Sequence, residues 1–427
     1  MKFKKRKMII VLIIILIIII TAGIFIYHLF NRSTSSPVLK SADRSEKWRA
    51  DLQFVKRELP KKHKNLFFSK SKTEFDRDMD LLIGRVGKYN DMQMKGQLAK
   101  IVSSINDSHT AVDIYGDSAY PIKFFQFEDG IYVVDAPLKY EDLWGKKLTG
   151  INGYSIEQLH SKIDSFISRD NNAILKNQFC NLIRSNEVLK ISGITEGNNV
   201  VVNFSGDQNN NVKVGPLKGS DYENIKFLSN DSKYVSKSPF TKQKMDKNYW
   251  FKYIEDSKIA YVKYNSCQNM KGYLFSKFTE DTFKIIDNKK ASILVVDLRD
   301  NGGGNSKIFN TFLDELKKRS NINSKGHLFV IIGRKTFSSA ILNAMDLKNN
   351  TNAILVGEPT GGKPNHFGEV KMLHLSNVNV DIQYSSNYFK TSDKNLDSIY
   401  PDVNIKLKSS SYFNGRDDFM DYIKSTI

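Results

Sequence analysis

An α/β core, preceded by an amino-terminal helical unit, a small β-rich module and one membrane-spanning helix, is the architecture that the sequence predicts. Three observations carry it. Continuous apolar runs alternate with amphipathic segments from Trp250 onward, apolar residues recur every three or four positions between Trp48 and Ile105, and a single uncharged run fills Met8 to Tyr27. At 427 residues the chain exceeds one ordinary core and is expected to divide into units of roughly 100 to 200 residues.

Residues 1–30 read as a basic tail and an anchor. The run MIIVLIIILIIIITAGIFIY is long enough, at about 1.5 Å per residue, to cross a hydrocarbon core of about 30 Å. Lys2, Lys4, Lys5, Arg6 and Lys7 precede it, so the positive-inside rule keeps the amino terminus cytoplasmic and exports the rest of the chain. A cleaved signal peptide is the alternative, since Thr21, Ala22 and Gly23 are small, but the apolar run exceeds the usual h-region of roughly 7 to 15 residues. The formal charge of +18 falls to +13 without the five basic residues of the tail, so anionic surroundings such as a cell wall or lipid headgroups would attract the exported part. Nucleic acid is not expected as a partner, because the chain is exported and lacks an aromatic-basic recognition motif. Residues 31–45, rich in Ser, Arg and Lys, read as a flexible linker.

Residues 46–110 form the helical unit. LQFVKREL, FDRDMDLLIGRV and MKGQLAKIVSSI carry the helical period, and the unit runs into Asp107-Ser-His-Thr110. Over 111–206 the pattern changes to short alternating strands, as in IKFFQFEDGIYVVDAP and KKLTGINGYS, followed by the helix-like EQLHSKIDSFI. Residues 207–248, with GDQNNN and LSNDSKYVSKS, read as a polar loop or partly disordered insertion. In 249–427, KIAYVKYN, SILVVDLR, HLFVIIG and AILVG are separated by helical segments. Such alternation implies parallel βαβ units with strands buried on both faces.

Active sites on parallel sheets gather at the carboxyl ends of strands, which brings together the loops after Arg299, Gly333 and Gly357. The first, Asp297 to Asn305, holds Gly302, Gly303 and Gly304, whose backbone N–H groups no side chain obstructs. It lacks the Gly-Lys-Ser/Thr ending of a phosphate loop, and an oxyanion hole is the better use of such donors, a plain tight turn being the other reading. The second delivers Thr336-Phe-Ser-Ser-Ala340 at a strand-to-helix turn, the place where hydroxyl nucleophiles are presented. Ser338 would attack and Ser339 N–H would stabilise the developing charge; alternatively both serines cap the helix. The third, Gly357 to Gly368, brings Lys363 and His366, and His109 is a further candidate base.

VVDLRDNGGGN, TFSSA and GEPTGGK, in that order and spacing, resemble the C-terminal-processing (tail-specific) serine peptidase family S41, which includes the tricorn core protease and the interphotoreceptor retinoid-binding repeats. The resemblance runs from about Trp48 to the end and is strongest from Tyr261 to Gly368. It implies a ClpP/crotonase-like core, Ser338 as nucleophile, and an oxyanion hole from Gly302 or Gly303 with Ser339. One branch of the family uses a Ser-Lys dyad, which Lys363 matches. The tricorn-like branch uses a His from Asp-x-His-Ser/Thr, which Asp107 to Thr110 match, and this branch is favoured here because His needs no extreme burial to work near pH 7. That branch also carries an acid shortly before a Pro-Asp pair, where Asp397 stands although Glu is usual. Ile341 departs too, since Glu is frequent there.

Leu143 to Gly153 resembles the Ile-Asn-Gly turn of PDZ-type modules, which implies capture of substrate tails by strand addition. A protein or peptide substrate and no cofactor are thereby implied. Cys180 and Cys267 are the only cysteines; one bridge is possible, while a disulfide framework and a four-ligand Cys zinc site are excluded. His63, His160, His327 and His374 lack partners at metal-ligand spacing, and no metal is expected. A catalytically inactive cell-surface binding protein on the same scaffold is the competing function.

Overall fold

The computed structural model describes residues 34–206 and 210–427. The expected anchor at 8–27 lies outside these residues. Among the described residues no helix is long and apolar enough to cross a membrane.

Among the described residues a short strand, Thr34–Ser35, is followed by three helices: α1 Arg44–Lys62, α2 Lys72–Ile83 and α3 Asp91–Ser103. Each starts on a capping box, Asp43 with Glu46, Ser71 with Glu74 and Asn90 with Gln93, so orphan amide donors are satisfied at every start. Asn106, at φ +60°, turns the chain out of α3 into Asp107 to Thr110 and then the short strand β1, Ala111–Val112.

The β-rich part comprises a hairpin, β2 Lys123–Phe127 with β3 Gly130–Asp135, and a sheet containing β4 Leu148–Ile151, β5 Val200–Phe204 and β6 Asn211–Val214. Asn152 and Gly153 sit at φ +51° and +80° between the paired Ile151 and Tyr154, the two-residue turn that Asn-Gly favours. Helices α4 Ile156–Ile163 and α5 Asn172–Leu182 pack alongside.

The carboxyl-terminal sheet is built from β7 Tyr249–Ile254, β8 Ile259–Tyr264, β9 Ile293–Asp297, β10 Leu328–Ile332, β11 Ile354–Gly357 and a final short strand, Val403–Asn404, in that spatial order. β7 is antiparallel to β8 and every other pairing is parallel. β8, β9 and β10 are buried at every residue, as parallel strands covered on both faces must be. Leu294, Val296, Val330 and Ile332 face one layer, which includes Phe275 and Phe283 of α6, Phe275–Lys289, and Phe312 of α7, Asn310–Lys317. Ile293, Val295, Phe329 and Ile331 face the other, with Phe419, Met420 and Ile423 near the carboxyl end.

Two features depart from the expected linear division. The hairpin β12 His366–Leu375 and β13 Val380–Phe389 leaves the carboxyl-terminal sheet and pairs with β1, and its Leu373, Leu375, Val380, Ile382 and Tyr384 share one core with the helical unit and the β-rich part. The expected polar loop is a structured strap over its described part, 210–248, in which Phe227, Leu228, Tyr234 and Thr241 are buried. Its anchors follow no period, so patterning does not reveal them.

Candidate active site

The loop after β9 is fixed from beneath. Asn301, fully buried, donates from Nδ2 to Tyr264 O at 3.0 Å and accepts Gly303 N–H on Oδ1 at 2.9 Å, while its own carbonyl takes Phe337 N–H at 3.0 Å. Gly303 N–H is therefore engaged within the loop, while Gly302 and Gly304 on either side of it are exposed. Glycine at 303 is required: φ is +108°, and a Cβ would lie 2.7 Å from Ser338 Cβ and 3.0 Å from Ser339 N.

The loop after β10 is held by Thr336, whose hydroxyl donates to Leu298 O at 2.9 Å and accepts Gly333 N–H at 3.0 Å. Arg334 forks onto Glu358 at 2.6 to 3.0 Å and stacks over Phe125 at 4.8 Å. The chain then reaches Ser338 with φ +54° and ψ −127°, a strained geometry for a non-glycine residue, and helix α8, Ser339–Asn350, starts at once. Ser338 makes no capping bond, whereas Ser339 Oγ donates to Gly304 O at 2.6 Å. The two serines are thus distinguished: one is tied to the glycine loop and the other is presented on a strained elbow. Ser339 N–H, at the first turn of α8, has no intrahelical acceptor and lies beside Gly303.

The loop after β11 packs on that elbow. A Cβ at Gly361 would lie 2.3 Å from Arg334 O, and one at Gly362 would lie 2.9 Å from Ile341 Cγ1 and 3.2 Å from Phe337 Cδ2. Ile341 is fully buried there, where a carboxylate would meet no water. Lys363 follows, half-buried, and its carbonyl bonds His366 Nδ1 at 2.9 Å.

Asp107 to Thr110 close the arrangement from the amino-terminal side. The Asp107 carboxylate, 1% exposed, accepts His63 Nε2 at 2.9 Å, Thr110 Oγ1 and Ser385 Oγ at 2.6 Å each, and the backbone N–H of His109 at 3.0 Å. Burial alone would raise its pKa, but the bonds from His63, Ser385 and Thr110 hold it down at about 2. The His109 ring stacks on Phe337, the residue before Ser338, with centroids 4.3 Å apart and planes at 18°. His366 stacks on it at 5.8 Å. Burial pushes His109 down to about 4 against the pull of the Asp107 charge, so the ring is neutral at pH 7. Both ring nitrogens are shielded from solvent and have no hydrogen-bond partner among the described residues.

Residues 310–405 match the sequence model of peptidase family S41. The match lies within the carboxyl-terminal part of the chain and is a likeness to that family over those residues. The matched family is one of peptidases. In fold, the chain is similar to a solved structure of mature CPAF in complex with lactacystin, at 11% identity and a TM-score of 0.64, covering 89% of this chain and 97% of that one. A second structure of mature CPAF gives 12% identity and a TM-score of 0.61, covering 89% and 96%. No curated protein sequence matches the chain.

The fold thus gathers Ser338, Ser339 and Gly303 at one point, with His109 against Phe337 and Lys363 on the adjoining loop. It does not bring Asp397 to the histidine. Asp397 is exposed, its Oδ1 accepts Tyr400 OH at 2.7 Å, and its neighbours Ser398 and Ile399 are the residues drawn inward, bonding Thr360. Sequence reasoning missed Asn301, Phe337 and Asp170. Asn301 was visible as a polar residue before three glycines; Asp170 lies in an aperiodic loop, and only the fold reveals its company. Cys180 and Cys267 are both free and buried, and among the described residues no cluster could hold a metal.

Proposed function

We propose that the chain is a membrane-anchored, extracytoplasmic serine endopeptidase acting through an acyl-enzyme on Ser338, with His109 as base. The observation that carries this reading is the strained, uncapped Ser338 beside the glycine loop, since a serine serving only as a helix cap has no need of φ +54°. Ser338 Oγ adds to the scissile carbonyl carbon as its proton passes to His109. The oxyanion forms against the amides of Gly302 and Ser339. Collapse expels the amine, which takes the proton from His109, and water then hydrolyses the ester by the same route. The low pKa of His109 keeps it a free base at neutral pH. Lys363 is the rival base, and the pairing of an Asp-x-His-Thr loop with the elbow favours the tricorn-like arrangement.

No hydrogen bond joins Ser338 to His109, which is the observation favouring a catalytically inactive binding protein. Sites without substrate are commonly looser than the reacting complex. The anchor rests on the 8–27 run and its basic flank, and anionic wall or headgroup contact rests on the remaining charge of +13. The sheet around the Asn152-Gly153 turn, in which β6 pairs on one side with β5, fits a PDZ-like module offering an edge to a substrate tail. Purified residues 34–427 should degrade denatured casein and react at Ser338 with a fluorophosphonate. Unchanged cleavage by Ser338→Ala would sink the reading.

A further inference from the structure

Asp170 lies where the histidine loop and the lysine loop meet. It is clasped to the histidine loop by a reciprocal pair of bonds: Ser108 N–H donates to Asp170 Oδ1 at 3.4 Å, and Asp170 N–H donates to Ser108 Oγ at 2.6 Å. Its neighbour Asn171 is fastened to the lysine loop and the chain beyond, donating from Nδ2 to Thr360 O at 3.0 Å, Ser398 Oγ at 2.9 Å and Asp397 O at 2.6 Å. Ile174 meets the same loop at Gly361. The residue as a whole is half-buried, yet its Oδ2 is shut off from solvent and has no hydrogen-bond partner among the described residues. Three charges bear on the junction: Asp170 itself, the Asp107 carboxylate and the Lys363 ammonium. His109, the other titratable group on the Ser108 side, is neutral.

An enclosed carboxylate oxygen with no donor is costly unless something supplies one. The neighbouring cation able to do so is Lys363, and a lysine held by a carboxylate is a poor proton acceptor. We propose that Asp170 is a positioning residue that takes Lys363 as its counter-ion, fixing the lysine as a cation beside the elbow and leaving His109 to receive the proton of Ser338. This rests on the proposed roles of Ser338 and His109. Burial, reinforced by Asp107 and opposed by Lys363, raises Asp170 to about 7, so the pair assembles as pH rises through neutrality.

The test is the second-order rate of Ser338 labelling by a fluorophosphonate on residues 34–427 between pH 5 and 9. The wild-type rate should rise about tenfold through pH 7. Asp170→Asn, which keeps an acceptor for Ser108 N–H, should abolish that rise. Lys363→Met removes the opposing cation and should move the midpoint upward, and the double variant should label no more slowly than the slower single one. A rise that persists in Asp170→Asn, a midpoint unmoved in Lys363→Met, or losses that multiply in the double variant would each overturn the proposal. Should Asp170→Asn fail to fold, the Lys363→Met midpoint decides alone. Absence of labelling at Ser338 in the wild type, or labelling indifferent to His109→Gln, would instead remove the underlying reading.

Discussion

Asp107 and His109 are two residues apart, both nearly inaccessible, and both displaced downward in pKa, one by hydrogen bonds that favour its charge and the other by burial that disfavours its charge. The carboxylate contributes stability above its unfolded value of 3.8, and that contribution is lost as pH falls toward about 2. The displacement corresponds to about 2 kcal/mol. The imidazole works in the same sense: unfolded histidine binds a proton near 6.5 and the folded one only near 4, so acidification between those values favours unfolding. Asp170, raised to about 7, works in the opposite sense between pH 7 and 3.8, so urea unfolding of residues 34–427 should show the loss of stability below about pH 4, where Asp107 takes up its proton. Asp107→Asn should cost roughly 3 kcal/mol at pH 7 by breaking a buried polar hub and should flatten the lowest part of that dependence. An unchanged slope below pH 4 would contradict the assignment. For activity, His109→Gln should slow Ser338 acylation by roughly 10² to 10⁴, and the limb belonging to His109 should lie near pH 4.

At the scale of elements, the elbow and the glycine loop function as one piece. A Cβ at position 303 would strike Ser338 and Ser339, while one at position 302 meets nothing within 4 Å. Gly303→Ala should cut labelling of Ser338 by about 10² or more and lower the melting temperature. Gly302→Ala should leave the melting temperature unchanged, and an equal drop in both variants would refute the packing argument. The same elements mark what the sequence disclosed. β8, β9 and β10 were legible because double burial produces continuous apolar runs, and the three early helices because their apolar period and capping residues coincide. Ser338, His109 and the glycine loop were legible because ordered motifs specify them. The strap over 210–248 was not, since Phe227, Tyr234 and Thr241 are isolated anchors. Nor was Asp170, whose significance arises from contacts with Ser108, 62 residues away. Asp397 was misplaced because a motif gives order along the chain and not the direction of a side chain.

At the scale of the molecule, the amino-terminal helices and the catalytic sheet are laced together. The lysine loop continues directly into β12, β13 pairs with β1 two residues after His109, and Ser385 of β13 donates to Asp107 at 2.6 Å. The strap reaches back as well, with Lys242 bonding both oxygens of Asp300 at 2.8 and 2.9 Å, next to Asn301 of the glycine loop. The proposed base and nucleophile therefore come from distant parts of the chain, and their separation depends on a hairpin that belongs to one unit by sequence and to the other by packing. Residues 249–427 expressed alone would expose Leu373, Leu375, Val380, Ile382 and Tyr384, all buried against the amino-terminal core. At roughly 1.5 to 3 kcal/mol for each large apolar side chain, that loss is comparable to the whole stability of a domain. The fragment should be aggregated or unfolded and unreactive at Ser338, whereas residues 34–427 should unfold in a single calorimetric transition. Two separated transitions, or a soluble fragment 249–427 with native circular dichroism, would show that the lacing does not couple the units.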